Sequence, residues 1–557
     1  MFKEVISLFK RVLSIVIVVL LVFLCSCNGN NSGHSSNNNS NHNDNNSSDK
    51  DTASLFDKAK AQVEYLFPTY KSARQIYSVN ISELDESIVV FLRQLQGLVA
   101  KKETASIYLV SNDADQYWLN YLCDELGAYS TEITPEQLVA LYKDFIKTIV
   151  VYSAHNDEFG FAWNDSIRRD DAICVEYSVA DKFELLNERE VISVSGVFSD
   201  EKASYESVFG MIESDENQRV FSLLDENSAF IDYAYSCKAF MLPECDDEWS
   251  TEFVKRQLDS RKSENFGVIY SDESVSGNAL SVYTAYGYGN IAVKGFSNST
   301  VFSSISIDYR FEKIKVNGSS PKKGKLYLSL VVDCANAGDV INNNYLVCNA
   351  NREGYSVSFE YPLFMRRLAP ATLLWYSVNA AQKGDYIIPD GNWLNIDQSA
   401  ISGDMYDLWL NVNNYLIYQS GMSVAVTDNI INDDNKYLSS HSVDGVLYYS
   451  DQSLSGVYSK ENKPILLAQK LSSLVELETS LNSLVSDKNT PLYFVYSLTA
   501  DAYFEKLPIY DIHNGYFGVG TPDGYYTITE IIAVFLSNAN SVNFVSPAQI
   551  VSYIKKG

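Results

Sequence analysis

The sequence is poor in the side chains that metals and nucleic acids require. It has 5 His and 8 Cys, with no Cys-x-x-Cys pair and no His at metal-ligand spacing, so the usual zinc signatures are excluded. Its 43 Lys and Arg face 70 Asp and Glu, a net charge of -27, which argues against nucleic acid and anionic lipid as partners. It also lacks a glycine-rich phosphate loop. We therefore expect no metal, no cofactor and no nucleic-acid partner.

The N-terminus predicts a bacterial lipoprotein. Basic residues precede an apolar run over residues 12–24, which leads into Leu24-Cys25-Ser26-Cys27, a pattern that fits a lipobox with Cys27 as the lipidated residue. The alternative is an uncleaved anchor, but this run is shorter than the ~20 residues of a membrane span. We expect residues 1–27 to be signal peptide and lipidated cysteine, so that the chain is attached to the membrane and faces outside the cytoplasm. Disulfides are permitted there, and Cys237 with Cys245 or Cys334 with Cys348 are candidate pairs by proximity, with buried free thiols as the alternative.

The rest of the chain is too long for one hydrophobic core. Residues 28–55 are rich in Asn and Ser and predict a disordered tether. Alternating helix and strand patterns then indicate an α/β protein. We expect N-terminal α/β domains over 56–133, 134–210 and 211–319, and a C-terminal domain over 320–557.

Local patterns support this division. Residues 88–99 carry apolar side chains at helical spacing and 106–110 read as a strand. Thr134-Pro-Glu-Gln137 predicts a capped helix start, followed by a strand over 148–153. A helix near 253–258 and a strand over 266–270 are expected in the third domain.

The C-terminal domain repeats an apolar strand followed by a helix, which favours a closed parallel barrel of the TIM type. The expected strands include 326–332, 371–377, 445–449, 464–467, 492–495 and 542–545. Sites in such barrels lie where the strands end. We therefore expect the chemistry at 333–339, 377–380, 389–393, 449–451 and 496–501.

Several segments carry the pattern of one family. They are Leu95-Gln-Gly-Leu-Val99, the segment over 230–240, the strand and turn over 326–339, Gly354-Tyr-Ser-Val-Ser358, Leu368-Ala-Pro370 and Gly384-Asp-Tyr386. Together they resemble the GxGYxYP family of glycoside-hydrolase-like proteins from about residue 84 onward. The resemblance implies small N-terminal domains before a glycoside-hydrolase-like barrel, and a glycan as ligand.

The polar motifs of that family are altered. The family's Ser-Asp-Gly-Asp-Asn turn becomes Ala335-Asn-Ala-Gly-Asp339, and Asp390 and Asn392 stand in place of two Gly when Trp393 is aligned with the first Tyr of the name motif. The resemblance therefore implies either divergent catalysis or a pseudoenzyme.

Glycoside hydrolysis needs two carboxyl groups. The candidate catalytic residues are Asp339, Asp385 and Asp390, each with capping or turn closure as the structural alternative. The candidate substrate-binding residues are Trp393, Tyr386, Asn336 and Tyr449. Trp393, set among Asp and Asn, is equally compatible with stacking on a sugar and with packing.

Three functions fit the sequence: a lipid-anchored protein that acts on or binds a glycan, with catalysis divergent or lost, a non-catalytic glycan-binding lipoprotein, and a cell-envelope interaction protein that uses its acidic surface. The first is our primary hypothesis, with a glycan or polysaccharide as partner and the membrane reached through the N-terminal lipid.

Overall fold

The computed structural model of the protein describes most of the chain beyond the N-terminal region. The residues described are 47–70, 74–102, 105–124, 127–153, 158–187, 189–198, 200–213, 219–305, 311, 320–334, 336–352, 354–427, 442–450, 457–460, 463–484, 490–508, 525–538 and 542–556. The predicted signal peptide, Cys27 and the first part of the predicted tether lie outside these residues. No helix among the described residues is long and apolar enough to cross a membrane.

The first helix, α1 (Ser47–Leu66), begins inside the range predicted as a tether. Its later residues include Ala, Leu, Lys and Gln, which favour helix. Gln62 fixes it by exchanging hydrogen bonds with the backbone of Phe266: Nε2 donates to the carbonyl at 3.2 Å, and Oε1 accepts from the amide at 3.1 Å. The last part of the predicted tether is therefore helical.

The first small sheet follows. Its unit contains β1 (Gln75–Asn80), α2 (Glu86–Lys102), β2 (Ser106–Val110), α3 (Asp113–Asp124) and β3 (Tyr129–Glu132). The strands are parallel in the order β2-β1-β3. The predicted helix and strand are both present. Gly97 of α2 lies so close to a neighbouring backbone that a Cβ would stand 2.4 Å from the carbonyl oxygen of Asp232.

The second unit has three parallel strands in the order β5-β4-β6. Its elements are α4 (Pro135–Tyr142), β4 (Thr148–Tyr152), α5 (Phe159–Ile167), β5 (Ala172–Glu176), α6 (Tyr177–Lys182), β6 (Glu190–Ser193) and α7 (Glu201–Glu213), with a 3-10 turn at Lys143–Phe145. The predicted capping box is present. The Thr134 N–H donates to Gln137 Oε1 at 2.9 Å, and the Gln137 N–H donates to Thr134 Oγ1 at 3.3 Å.

The third unit has four parallel strands in the order β10-β9-β7-β8. Its elements are β7 (Val220–Leu223), α8 (Ile231–Ser236), β8 (Phe240–Met241), α9 (Glu248–Asp259), β9 (Gly267–Ser271), α10 (Gly277–Ala285), β10 (Tyr288–Ala292) and α11 (Ser299–Ser303). The predicted helix and strand correspond to α9 and β9. Asp232, which approaches Gly97, belongs to α8, so this glycine brings helices α2 and α8 together.

The C-terminal region holds a larger sheet. Its first half comprises β11 (Leu326–Val332), α12 (Ala337–Asn342), α13 (Asn344–Asn349), β12 (Val357–Tyr361), α14 (Met365–Leu368), α15 (Pro370–Gln382), β13 (Tyr386–Pro389), a 3-10 turn at Gln398–Ala400, α16 (Gly403–Ser420) and β14 (Val424–Thr427). Its second half comprises β15 (Gly445–Ser450), β16 (Val457–Lys460), β17 (Lys463–Leu471), α17 (Leu474–Asn482), β18 (Leu492–Leu498), α18 (Ala500–Phe504), β19 (Leu507–Pro508), β20 (Tyr525–Tyr526), α19 (Ile528–Asn538), β21 (Val542–Phe544) and α20 (Pro547–Lys556).

Seven parallel strands of this region form a nearly closed barrel. Their order is β13-β12-β11-β18-β17-β15-β14. The two ends meet through a parallel bridge between Asp390 and Val426, where the Gly391 N–H donates to the Val426 carbonyl at 2.8 Å. β21 pairs with the start of β11, and β16 runs antiparallel beside β17. The predicted α/β class and parallel barrel are thus confirmed at this level.

One predicted strand of the barrel is wrong. Residues 371–377 lie in helix α15, which Pro370 opens at its first position. A short apolar run is compatible with a buried helix as well as with a strand, and periodicity alone does not separate the two. Trp375 packs against Trp118, with ring centroids 5.3 Å apart, so it is a packing residue on a helix.

The three N-terminal sheets lie one in each range predicted as a domain. Residues Ser54–Gly557 nevertheless form one compact unit, so the proposed boundaries stay predictions. The described cysteines are Cys123, Cys174, Cys237, Cys245, Cys334 and Cys348, and all are free thiols. Neither candidate disulfide is formed.

Candidate active site

The site follows from the way side chains alternate along the barrel strands. Side chains of a strand point alternately to its two faces, and in the barrel one set forms an apolar interior. This interior includes Tyr327, Val331, Ile388, Val426, Leu447, Leu466, Ala468 and Val495, and Ile550, Val551 and Tyr553 of α20 pack with it. Two residues further along each strand the interior positions become polar. They are Asp333 after Val331, Asp390 after Ile388, Tyr449 after Leu447 and Lys470 after Ala468.

These polar side chains meet in a cavity of about 240 Å³. Glu360, near the end of β12, belongs to the same row. The remaining lining comes from turns after the strands and from the end of β10 in the third N-terminal unit. It consists of Ser274, Asn290, Ile291, Ala292, Cys334, Asn336, Pro362, Phe364, Asn392, Asn395, Val426 and Thr427. The cavity lies where the strands end, and three of the five predicted segments contribute to it, namely 333–339, 389–393 and 449–451. Residues 377–380 lie in helix α15, and 496–501 do not line the cavity.

Glu360 is the central titratable group. It is 8% exposed, and its Oε2 accepts a hydrogen bond of 2.7 Å from the Tyr449 hydroxyl. Burial raises the pKa of Glu360 well above its ordinary value, and repulsion from Asp390 and Asp333 raises it further; Tyr449 and Lys470 oppose the rise. The carboxyl group of Glu360 is therefore suited to hold a proton in the cavity.

Asp333 and Lys470 form a looser pair. Their Oδ2 and Nζ atoms are 4.0 Å apart, and Lys470 Nζ also lies 4.5 Å from the centroid of the Tyr449 ring. Burial raises the pKa of Asp333, while Lys470 lowers it. Since the Lys470 side chain is 51% exposed, solvent screens this pair. Lys470 therefore reduces the negative charge of the cavity without neutralising it.

Asp390 is held by its own turn. Its backbone N–H donates to the Tyr361 carbonyl at 3.0 Å, and its Oδ1 accepts from the Asn392 N–H at 2.9 Å. Asp390 thus presents a positioned carboxylate beside the buried acid.

Cys334 also lines the cavity, but it is a poor nucleophile. Burial raises the pKa of its thiol well above the ordinary value, and nearby carboxylates raise it further. Within the part of the chain that the structure describes, no group of three His, Cys, Asp or Glu side chains is arranged to hold a metal ion.

Two of the predicted carboxylates do not reach the cavity. Asp339 forms a capping box with Asn336 at the start of α12: its N–H donates to Asn336 Oδ1 at 3.1 Å, and its Oδ2 accepts from the Asn336 N–H at 3.2 Å. Asp385 precedes β13, at the opposite end of the barrel, where it pairs with buried Arg352 and accepts a hydrogen bond of 2.8 Å from the Val357 N–H. Burial raises the pKa of Asp385 and Arg352 opposes the rise. Both residues have structural roles here.

The predicted binding residues divide in the same way. Asn336 and Tyr449 line the cavity, whereas Tyr386 begins β13 and lies with Asp385 at the far end. Trp393 is 0% exposed and packs between Phe67 and Phe266, at centroid distances of 6.3 and 6.2 Å. The interpretation of Trp393 as an exposed stacking residue is therefore wrong. Its polar neighbours form the turn while the ring points into the core.

Sequence reasoning missed Glu360 and Lys470. Both lie inside strands rather than after them, so a search of the strand ends passes over them. The sequence did contain one signal. Glu360 is the charged residue of the buried strand Val357-Ser-Phe-Glu-Tyr361, and it lies two positions beyond Ser358 on the same, interior face.

The fold and the cavity define an α/β protein with a carboxyl-lined site at the strand ends of a nearly closed parallel barrel. Residues 75–146, which span β1 to the turn after α4, match the family described as GxGYxYP_N 1st domain. This segment is similar to the first domain of that family, and the resemblance to the GxGYxYP family found in the sequence is confirmed.

A solved structure has a similar fold. It is the crystal structure of a "putative hydrolase" from Bacteroides thetaiotaomicron, 17% identical, with a TM-score of 0.71 over 88% of this chain and 96% of that chain. At this identity the likeness concerns the fold alone. No curated protein matches the sequence.

Proposed function

We propose that the protein is a glycan-active hydrolase in which Glu360 donates a proton to the glycosidic oxygen. The observation that carries this proposal is a buried carboxyl group with a raised pKa, set beside two further carboxyl groups in a cavity at the strand ends. Glycosidases pair a proton-holding acid with a second carboxylate, and burial is the usual means of raising the acid's pKa. A cavity of about 240 Å³ is smaller than the ~300–1,000 Å³ of drug-sized pockets, which suits one sugar ring.

The roles follow from the contacts. Tyr449 donates to Oε2 of Glu360, so Oε1 is the oxygen that carries the transferable proton. Asp390, fixed by the Asn392 N–H, is the second carboxylate and either attacks the sugar or activates water. Burial and repulsion from Asp390 and Asp333 keep Glu360 protonated before transfer, while Lys470 limits the rise of its pKa.

The fold is consistent with this chemistry. We regard the seven-stranded barrel, with the short strand β21 beside β11, as a divergent TIM-like barrel. Such barrels carry their sites at the strand ends. The hydrolase name of the Bacteroides protein supports the same reaction class.

We further propose that the chain is a lipoprotein anchored through Cys27, with residues 28–46 as a spacer. The basic start, the short apolar run and the lipobox at residues 24–27 support this anchoring. Replacing Cys27 with Ala should move the expressed protein from the membrane fraction to the soluble fraction. Membrane attachment that persists in this variant would contradict lipidation at this residue.

The central test compares Glu360→Gln and Asp390→Asn with the control Asp501→Asn, an exposed carboxylate after β18 that does not line the cavity. Release of reducing sugar from a panel of neutral oligosaccharides and polysaccharides is measured together with binding. We expect each cavity variant to lose roughly 10²–10⁴-fold in rate while the control is unchanged.

The same measurements distinguish the alternatives. Binding without hydrolysis by the wild-type protein would favour a non-catalytic glycan-binding protein. If the wild type neither binds nor cleaves any glycan of the panel, the proposed function fails.

A further inference from the structure

A second cavity, of about 930 Å³, lies where the strands of the third N-terminal sheet end. Its walls come from the segments after β7, β8 and β9, and from α10. They include Leu223 at the end of β7 and Asp225 after it, Pro243 and Glu244 after β8, and Asp272 and Glu273 after β9. Nothing in the proposed chemistry uses this cavity.

The two cavities adjoin. Ser274 lines both of them, and β10, which pairs with β9, contributes Asn290, Ile291 and Ala292 to the smaller one. One sheet therefore supplies a wall to each cavity. Because β9 and β10 are parallel, their carboxyl ends lie at the same edge, and that edge faces the barrel's strand ends.

The contact between this sheet and the barrel is tight. Gly338 of α12 packs so closely that a Cβ there would stand 1.9 Å from the carbonyl oxygen of Lys294. Beside it, Asn342 Nδ2 donates to the Gly295 carbonyl at 2.8 Å. The relative position of the two cavities is thus set by backbone packing.

The lining of the larger cavity indicates the charge of its ligand. Its carboxylates are Glu201, Asp225, Glu244, Asp246, Asp272 and Glu273. Among the described lining residues the only cation is Lys294, which is ion-paired with Glu273. Asp272 is held by the Ser228 hydroxyl, which donates to Oδ1 at 2.8 Å. An acidic glycan would meet like charge here, whereas hydroxyl groups can donate to these oxygens.

The rest of the wall is apolar. Leu223, Val275 and Ala279 are half-buried and face the cavity together with Leu224 and Pro243. Apolar surface next to acceptor oxygens suits a sugar ring, which has apolar faces and a rim of hydroxyl donors. At about 930 Å³ the cavity is large enough for more than the single ring that suits the smaller one.

We propose that the two cavities form one cleft for an uncharged oligosaccharide, with one sugar in the barrel cavity and the adjoining sugars over Ser274 and in the cavity of the third unit. This inference rests on the proposed function, because it takes the barrel cavity to hold a sugar. It adds the substrate class: a chain of several sugars without acidic groups. The N-terminal unit is accordingly part of the binding site.

The test uses a glycan array that carries neutral chains of two to six sugars and acidic chains of matched length. The blocking variant is Ala279→Trp, which places a large ring on the half-buried wall formed by α10. A second blocking variant, Glu244→Trp, changes an exposed residue of another wall segment. The matched control is Ala140→Trp, on an exposed position of α4. Thermal unfolding of each variant checks its folding.

We expect the wild type to bind neutral chains of four or more sugars at least about tenfold more tightly than disaccharides, and to bind acidic chains weakly. Both blocking variants should lose this length preference and keep the disaccharide affinity, whereas Ala140→Trp should behave as wild type. Length-independent binding by the wild type, a length preference retained in both blocking variants, or equal binding of acidic chains would overturn the cleft and leave the proposed function standing. Absence of all glycan binding would remove both.

Discussion

The buried ion pair between Arg352 and Asp385 gives the sharpest test of whether Asp385 stabilises the fold or takes part in catalysis. The two side chains are 3% and 1% exposed, and Asp385 also accepts the Val357 N–H at 2.8 Å. Replacing Asp385 with Asn keeps an acceptor for that N–H but leaves the guanidinium of Arg352 buried without its counter-charge. Removing one partner of a buried pair costs about 3–5 kcal/mol.

This free energy translates into a thermal shift. Unfolding entropy is about 2.1 cal/mol/K per residue, or roughly 1 kcal/mol/K for the compact unit Ser54–Gly557 of about 500 residues. Asp385→Asn should therefore lower the Tm by roughly 3–5 °C. The exposed control Asp501→Asn should lie within about 1 °C of wild type. Differential scanning calorimetry measures both.

A double-mutant cycle completes the experiment. Arg352→Met together with Asp385→Asn removes both charges, so the double variant should recover much of the lost stability. Any hydrolytic activity should persist in Asp385→Asn below its unfolding temperature, because the pair lies at the barrel end opposite the cavity. A variant with wild-type Tm and no activity would refute this reasoning and restore Asp385 as a catalytic candidate.

Three further predictions follow from the site and from one helix contact. Tyr449→Phe removes the donor that lowers the Glu360 pKa, so the alkaline limb of the kcat/KM profile should move to higher pH; an unchanged limb would contradict the assigned hydrogen bond. Because the folded-state pKa of Glu360 is raised, the stability associated with its protonation is full below the ordinary Glu pKa of about 4.3 and is lost as pH rises through the raised value. Glu360→Gln should therefore be more stable than wild type on the alkaline side. Urea unfolding at several pH values measures the difference in free energy of unfolding between the two proteins, and a difference that does not change with pH would contradict this prediction. Gly97→Ala should destabilise the protein by about 1–3 kcal/mol, because a Cβ would stand 2.4 Å from the Asp232 carbonyl; a denaturation midpoint equal to wild type would show that α8 can move away.

The sequence predicted well where the strands end along the chain. It predicted poorly which side chains meet in the assembled barrel. The strand ends at 333–339, 389–393 and 449–451 were predicted because parallel strands finish at a common edge, and each contributes to the cavity. Asp385, a candidate carboxylate from the segment Gly384-Asp-Tyr386, precedes its strand instead of following it, so it lies away from the cavity and pairs with Arg352.

Two other outcomes depended on information that lies outside local sequence. Trp393 sits among polar residues, yet its ring enters the core between Phe67 and Phe266, which are distant in the chain. The pKa of Glu360 depends on Asp333, Asp390 and Tyr449, which lie on or directly after three other strands. Contacts of this kind appear only when the barrel is assembled.

The bridge between Asp390 and Val426 has a mechanical consequence. It is where β13 and β14 join, and Asp390 also carries the carboxylate proposed for catalysis. Asp390 thus both closes the barrel and supplies the proposed reactive group. Widening this seam would carry β14, with the cavity-lining Val426 and Thr427, away from Asp390, whereas Asp390 would stay beside Glu360 because β13 pairs with β12 and the Asp390 N–H donates to the Tyr361 carbonyl. Hydrogen exchange of the Gly391 amide, which spans the seam to the Val426 carbonyl, therefore reports how often the cavity opens on the β14 side.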